Sequence, residues 1–441
     1  MLAQIKKMIP ESVKERLRPF KVRLVDEPRK RKLTFQMQKK HQELLEKIKE
    51  KDRIKVVFLA IHKSVWKVDS VFQRMLRDPL FEPLILVCPY IKYGEKRMWE
   101  DMRSSYRYFK QKNYPVLFSY DQKENRWITL EEIQPHIVFF TNPHNLTRNE
   151  YYQEAFLNYL SCYVPYYFMI TKHAGSYKDI YNTLFFNSLW RFYATSEENL
   201  QSYIAHSINK CSGLCVGYPA LEGLVNNNIN KSNHAWDNNS HSKIKIIYAP
   251  HHTIDGDDNS LSTFLQYGEY ILELSKKYKE TFFWSFKPHP MLKSKLYEHP
   301  DWGVDKTNRY YENWKTGISS QFDDGEYEQL FVHSNAIIHD CSSFIVEYAV
   351  VKKPALYLVN SNTFNLLTDL GENILTSSYK LALNQQDIEV FIQSLIDKDV
   401  KHEKTNKIES NELNDYIEKL FINESPSKKI INDIKYRLNS L

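Results

Sequence analysis

The 441-residue chain holds only 11 glycines and five cysteines. So little glycine excludes collagen-like and low-complexity classes. The cysteines (Cys88, Cys162, Cys211, Cys215, Cys341) are odd in number and lack framework spacing. Cys211 and Cys215 have no second pair, so neither a disulfide scaffold nor a zinc ribbon is expected, and the thiols read as reduced and semi-buried. No run of 18 apolar residues occurs, so no bilayer-spanning helix is expected. The N-terminus lacks the apolar core of a secretory signal. Walker A, G-x-G-x-x-G, G-x-S-x-G and H-E-x-x-H patterns are all missing, which disfavours a kinase, a dehydrogenase, a serine hydrolase and a zinc protease.

What is present is apolar and ring-rich. Hydrophobic residues make up 42% of the chain and aromatics 14%, with 30 tyrosines and 24 phenylalanines. That suffices for packed cores, and the length fits two to three domains. Charge is uneven. Residues 1–55 hold 18 Lys and Arg against 8 Asp and Glu, whereas the whole chain is +6. Within this basic stretch Leu2, Ile5, Met8, Ile9, Val13, Leu17 and Phe20 recur at helical spacing, interrupted by Pro10 and Pro19. The pattern favours an amphipathic segment on an anionic membrane surface over a solvated helix, with nucleic acid as the least favoured partner. Residues 35–51 predict a second helix.

From residue 54 the pattern alternates between strand and helix. IKVVFLAI (54–61), EPLILVCPY (82–90), YPVLFSY (114–120), PHIVFFTNP (135–143), PYYFMIT (165–171) and RFYATS (191–196) predict strands, with helices near 96–112, 149–160 and 197–208. Residues 225–243 are Asn- and Ser-rich and predict a linker or mobile loop. The pattern then restarts: strands at 243–250, 281–290, 335–340 and 354–360, and helices at 260–278, 325–333, from Ser342, at 387–399 and at 411–439. The expected organisation is a basic helical extension (1–53), an acceptor domain (54–230) and a donor domain with terminal helices (243–441). The expected fold is α/β and GT-B-like, with two Rossmann-like domains facing a cleft and parallel sheets covered on both faces. Ligands in such folds sit beyond the carboxyl ends of the strands.

Four polar motifs fall at strand ends. In HDCSSF (339–344), Asp340 ends a strand, and Ser342 and Ser343 open a helix whose N–H groups and dipole suit a diphosphate. The competing reading makes Ser342 an ordinary N-cap. Glu347, one turn on, either accepts from ribose hydroxyls or is solvated, and Lys352 and Lys353 read as surface charge. In FKPHPML (286–292), Lys287 and His289 are candidate phosphate contacts or, for the imidazole, an acid; a structural loop histidine is the alternative. In YAPHHTID (248–255), His251 and His252 enter the site, and because adjacent side chains point apart, a shared metal is not expected. In ITKHAGSYKD (170–179), His173 is a candidate base or a plain strand-end histidine. Asp255-Gly256-Asp257 and Asp323–Asp324 sit in polar loops, and neither calls for a metal or another cofactor.

The ordered set KIKIIYAPHH, FKPHP and SNAIIHDCSSFIVEYAVVKKPALYL resembles the CDP-glycerol glycerophosphotransferase family, whose members build teichoic acids and related capsule polymers. The resemblance spans about residues 160–375 and is strongest over 335–360. FKPHP matches unchanged and implies a phosphate-binding role for His289. Asp340, Ser342, Ser343, Glu347 and Lys353-Pro354 fill family positions, with Cys341 in place of an aromatic. Lys172-His173-Ala174-Gly175 resembles the segment of the family's base, with altered neighbours. His251-His252-Thr253 stands where the family has a Thr-aromatic-Arg stretch, and the arginine is missing. The resemblance implies that His173 deprotonates an acceptor hydroxyl, which attacks the β-phosphorus of a CDP-polyol and releases CMP, at the inner face of the cell membrane. A sugar-transferring GT-B enzyme and an inactive membrane-docked scaffold are the rival readings.

Overall fold

The computed structural model describes residues 26–172, 176–226, 235–254, 256, 260–325, 327–397, 411–419 and 424–439. The chain divides into two compact units. The first is Met1–Tyr166 with Gly175–Gly217 and Ser427–Leu441; the second is Tyr167–Ala174 with Tyr218–Pro426.

The first unit is built on seven strands: β1 (Ile54–Ala60), β2 (Phe81–Val87), β3 (Val116–Phe118), β6 (Ile137–Phe140), β7 (Leu160–Tyr163), β8 (Arg191–Ala194) and β9 (Gly213–Cys215). A small antiparallel hairpin, β4 (Tyr120–Asp121) with β5 (Arg126–Trp127), stands apart. The order in the sheet is β3-β2-β1-β6-β7-β8-β9, with parallel pairing throughout. Continuous apolar runs such as Val56-Val57-Phe58-Leu59 make this possible, because helices cover both faces. Phe58 lies in the core, stacked on Phe139 at 4.7 Å and edge-on to Phe72 and Trp66.

The second sheet repeats the scheme with six strands: β10 (Ile244–Ala249), β11 (Phe282–Phe286), β12 (Ser320–Phe322), β13 (Ala336–His339), β14 (Ala355–Leu358) and β15 (Lys380–Ala382). Their order is β12-β11-β10-β13-β14-β15, all parallel. Counted from β10 this is 3-2-1-4-5-6, the doubly wound order whose direction reverses between β10 and β13. An aromatic core fills one side: Phe286 stacks on Trp314 at 5.2 Å and meets Tyr310 and Tyr311 edge-on. The fold is thus mixed α/β and GT-B-like, with helical regions toward both ends.

Several elements depart from the sequence reading. Residues 165–171 form no strand. The strand is Leu160–Tyr163, which starts at the last residue of the expected helix; that helix shortens to Gln153–Asn158. Pro165 and the isolated Thr171–Leu367 bridge leave 165–171 as an irregular segment. This segment is held to the second unit: Lys172 N–H donates to the Leu366 carbonyl at 2.6 Å and Thr368 N–H to the Ile170 carbonyl at 2.8 Å. Gly371 permits that approach, since a Cβ there would lie 2.6 Å from the Ile170 oxygen.

The basic region is no free extension from residue 27 onward. Helix α1 (Glu27–Ile48) buries Met37, His41, Leu45 and Ile48, and its Lys30 and Glu27 bond to Asn182. Residues 1–25, which carry the expected membrane-binding pattern, lie outside the described residues. The expected linker is also partly structural. Trp236 is buried and donates from Nε1 to the Leu330 carbonyl at 3.2 Å, because an indole is too apolar to leave in water. Residues 227–234 lie outside the described set. The last helix, α4 (Pro426–Asn439), packs on the first unit, not the second. Ile430, Ile431 and Ile434 join that core, and Asp433 accepts bidentate bonds from Arg191 at 2.7 and 3.0 Å and one from Tyr193 at 3.0 Å.

Candidate functional site

β11, β10 and β13 are neighbours in the second sheet, so FKPHP, YAPHH and HDCSS leave its carboxyl edge side by side. Backbone bonds extend the pairing past the strands. Lys287 N–H donates to the Tyr248 carbonyl at 2.8 Å, and His289 N–H to the Pro250 carbonyl at 3.0 Å. These two bonds fix His289 against the His251–His252 pair. The ring centroids lie 4.4 Å (His251–His252), 5.3 Å (His251–His289) and 4.1 Å (His252–His289) apart. Adjacent histidines were expected to diverge. They converge because Pro250 ends the strand and the chain turns at once.

Burial holds the rings of His251 and His289 neutral. It pushes His251 down to about 3, with His252 and Lys295 adding to the effect. It pushes His289 to about 2, with His252, His251, Lys287 and Lys295 adding. Met291 N–H faces His289 Nδ1 at 3.2 Å, so in the neutral ring the proton sits on Nε2, which makes that nitrogen a donor.

Asp340 holds the site from beneath. It is fully buried, and its carboxylate accepts His251 N–H at 2.6 Å, Thr263 N–H at 2.6 Å and the Thr263 hydroxyl at 2.9 Å. Burial raises its pKa to about 6, against the pull of those bonds. Expected to touch substrate, Asp340 is instead a positioning residue that ties the histidine loop to the start of helix α2 (Phe264–Lys277). Sequence reasoning missed Thr263, although a threonine directly before an apolar-periodic run is a capping signal.

Helix α3 (Ser342–Ala349) opens with Cys341 at its N-cap and no side-chain cap bond. Ser342 is therefore a first-turn residue, not an N-cap, and both serines are half-buried at the helix N-terminus. The Ser343 hydroxyl lies 3.3 Å from the Cys341 sulfur. Glu347, read as a ribose contact or a solvated carboxylate, is 1% exposed and lies beside the buried Tyr327. Its place in the second turn of α3 turns it inward. Lys353, read as surface charge, is half-buried: it donates to the Val332 carbonyl and to the Ser334 carbonyl at 2.6 Å, and burial lowers it to about 8. Lys287 is 6% exposed just past β11. Asp323 is engaged by Ser285 at 2.6 Å and Gln321 at 2.7 Å. His173, Asp255 and Asp257 lie outside the described residues.

The geometry can therefore present hydroxyls, a helix N-terminus, a lysine and neutral imidazoles at one sheet edge, a set suited to an anionic phosphate group. The doubly wound units are those of a GT-B-like fold. Residues 178–363 match the family model described as CDP-Glycerol:Poly(glycerophosphate) glycerophosphotransferase, which bears out the resemblance read from the motifs and marks the chain as a glycerophosphotransferase-type enzyme. No curated protein sequence matches the chain. Among solved structures, the wall teichoic acid polymerase TagF aligns over 98% of this chain and 99% of its own, at 13% identity and TM-score 0.56. S. aureus MnaA in its UDP co-structure aligns over 88% and 98%, at 13% identity and TM-score 0.53. The UDP-GlcNAc 2-epimerase of Neisseria meningitidis aligns over 87% and 99%, at 16% identity and TM-score 0.51. At such identities the likeness is one of fold. No helix among the described residues is long and apolar enough to cross a membrane.

Proposed function

We propose that the enzyme transfers glycerol phosphate, or a similar polyol phosphate, from a CDP-linked donor to a hydroxyl of a glycan or lipid-linked acceptor, with release of CMP. The observation that carries this reading is the convergence of three motifs on adjacent strands at the switch point of the second sheet, inside the span matched by the family model. The Ser342–Ser343 helix end, Lys287 and the Nε2–H of His289 stabilise the diphosphate as charge shifts to the leaving CMP. His251 and His252 set the remaining contacts. His173, which follows the anchored segment Ile170–Lys172, takes the proton of the attacking hydroxyl. The products belong to teichoic-acid-like or capsule polymers, and residues 1–25 bring the enzyme to the inner membrane face.

The test is nucleotide release from a panel of CDP-polyols, UDP-sugars and GDP-sugars, with and without acceptor. CMP from a CDP-polyol supports the proposal. Sugar transfer from a UDP- or GDP-donor replaces it with the glycosyltransferase reading. No release from any donor leaves the scaffold reading.

A further inference from the structure

We infer that His251, His252 and His289 form a binding site for one divalent transition ion of the zinc class. One ligand nitrogen from each residue lies within 4.8 Å of the other two. A tetrahedral zinc site needs neighbouring nitrogens about 3.3 Å apart, given bonds of about 2.0–2.1 Å. Binding an ion therefore requires the three imidazoles to close in by up to about 1.5 Å.

The backbone is already fixed. Pairing of β10 with β11 and the two bonds beyond it set the loops side by side. Asp340 holds His251 by its N–H at 2.6 Å. The Thr253 hydroxyl, which accepts Leu261 N–H at 2.9 Å, stands 2.9 Å from His251 Nδ1. An oxygen on the far ring nitrogen is the outer contact that orients a ligating imidazole. Ligation through His289 Nε2 moves that ring's proton to Nδ1 and exchanges the 3.2 Å contact with Met291 for a metal bond.

The donor set selects the ion. Three imidazoles without a carboxylate suit zinc, cobalt or nickel, whereas magnesium and calcium require oxygen ligands. Lys287 and Lys295 stand near His289 and repel a dication, so nitrogen–metal bonds must outweigh that repulsion. Three protein nitrogens leave a fourth position open to a phosphate oxygen, where the ion would act as a Lewis acid. The ion would then supply the positive charge absent where the resemblance places an arginine. This inference goes beyond the proposed transfer, which needs no metal: with an ion bound, the ion takes over the phosphate contact that the Nε2–H of His289 makes in the metal-free enzyme.

The full-length protein, freed of metal with a chelator, would be titrated with zinc by calorimetry and with cobalt(II) by visible absorption. One equivalent is expected to bind, and the cobalt form should show the intense band of a four-coordinate site. His251→Gln and His289→Gln are each expected to weaken zinc about 100-fold or more, and Thr253→Val about 10-fold; His206→Gln in the first unit should change nothing. Equal affinity in wild type, His251→Gln and His289→Gln would overturn the site. If those variants fail to fold, the wild-type cobalt spectrum decides, and an absent or weak six-coordinate band overturns it. All readouts are binding measurements, so failure here leaves the transfer assay untouched.

Discussion

Strands β1 and β10 hold the same place in two sheets of similar topology, yet the loops beyond their carboxyl ends differ. After β1 comes His62, whose Nδ1 lies 2.6 Å from the Ser64 hydroxyl in a tight turn. After β6, Thr141 bonds back to the Leu59 carbonyl at 2.8 Å and Asn142 accepts His144 N–H at 2.7 Å. After β2 come Tyr90, Ile91 and Tyr93, the last two among the exposed large hydrophobics. The first sheet thus spends its strand-end polar groups on turns and presents aromatics. The second gathers imidazoles, hydroxyls and a helix N-terminus on three adjacent strands. One framework thereby carries two surfaces, because topology fixes where ligands approach and loop residues fix which ligand is met.

Substitutions can break this contrast. The largest effect is expected from the double variant Ser342→Ala, Ser343→Ala, which should lower turnover about 10²–10³-fold through lost stabilisation of the diphosphate, measured by single-turnover kinetics. Tyr93→Ala at the corresponding edge of the first sheet should leave donor binding unchanged. Next, Arg191→Ala should destabilise the first unit by about 3–5 kcal/mol in denaturant titrations, because it strands Asp433 in a half-sealed site that Arg437 only partly satisfies. Asp340→Ala should cost about 3 kcal/mol in the second unit, by leaving the N–H groups of His251 and Thr263 without their acceptor.

Per pH unit, the smallest effect is that of acid. Burial lowers His339 to about 3 and, in the first unit, His41 to about 4. Below about 6.5 the unfolded chain binds protons that these folded rings refuse. Stability is therefore full above that pH and falls by about 1.4 kcal/mol per unit per histidine as pH drops toward the folded values. Asp340 runs the other way between about 4 and 6, since its folded form holds the proton more tightly. His339→Gln should make the acid limb of the second unit's unfolding midpoint shallower, with His251 and His289 still contributing, and leave that of the first unchanged.

The parallel sheets were legible in the sequence because strands buried on both faces are unbroken apolar runs, as in IKVVFLA and FFWSF. The strand-end motifs were legible because Pro250, Pro288 and the Asp-Cys-Ser-Ser run mark where strands stop. Other features depend on tertiary context. Leu160–Tyr163 falls between an expected helix ending at 160 and an expected strand at 165–171, and only pairing with β6 and β8 makes it the strand. Nothing local reveals that α4 returns to the first unit, since the Arg191–Asp433 pair spans 242 positions. Asp340 and Glu347 look like substrate contacts in the sequence, and burial removes both from solvent. The proximity of His289 to His251 and His252 arises from the adjacency of β10 and β11, which spacing along the chain does not encode.

The central claim is tested most directly by following CMP and polyol phosphate together when wild-type enzyme meets a CDP-polyol panel and a hydroxyl acceptor. The expected result is one CMP released per polyol phosphate transferred, lost in the Ser342→Ala, Ser343→Ala double variant. Sugar transfer from a UDP- or GDP-donor, or equal CMP release by the double variant, would contradict it.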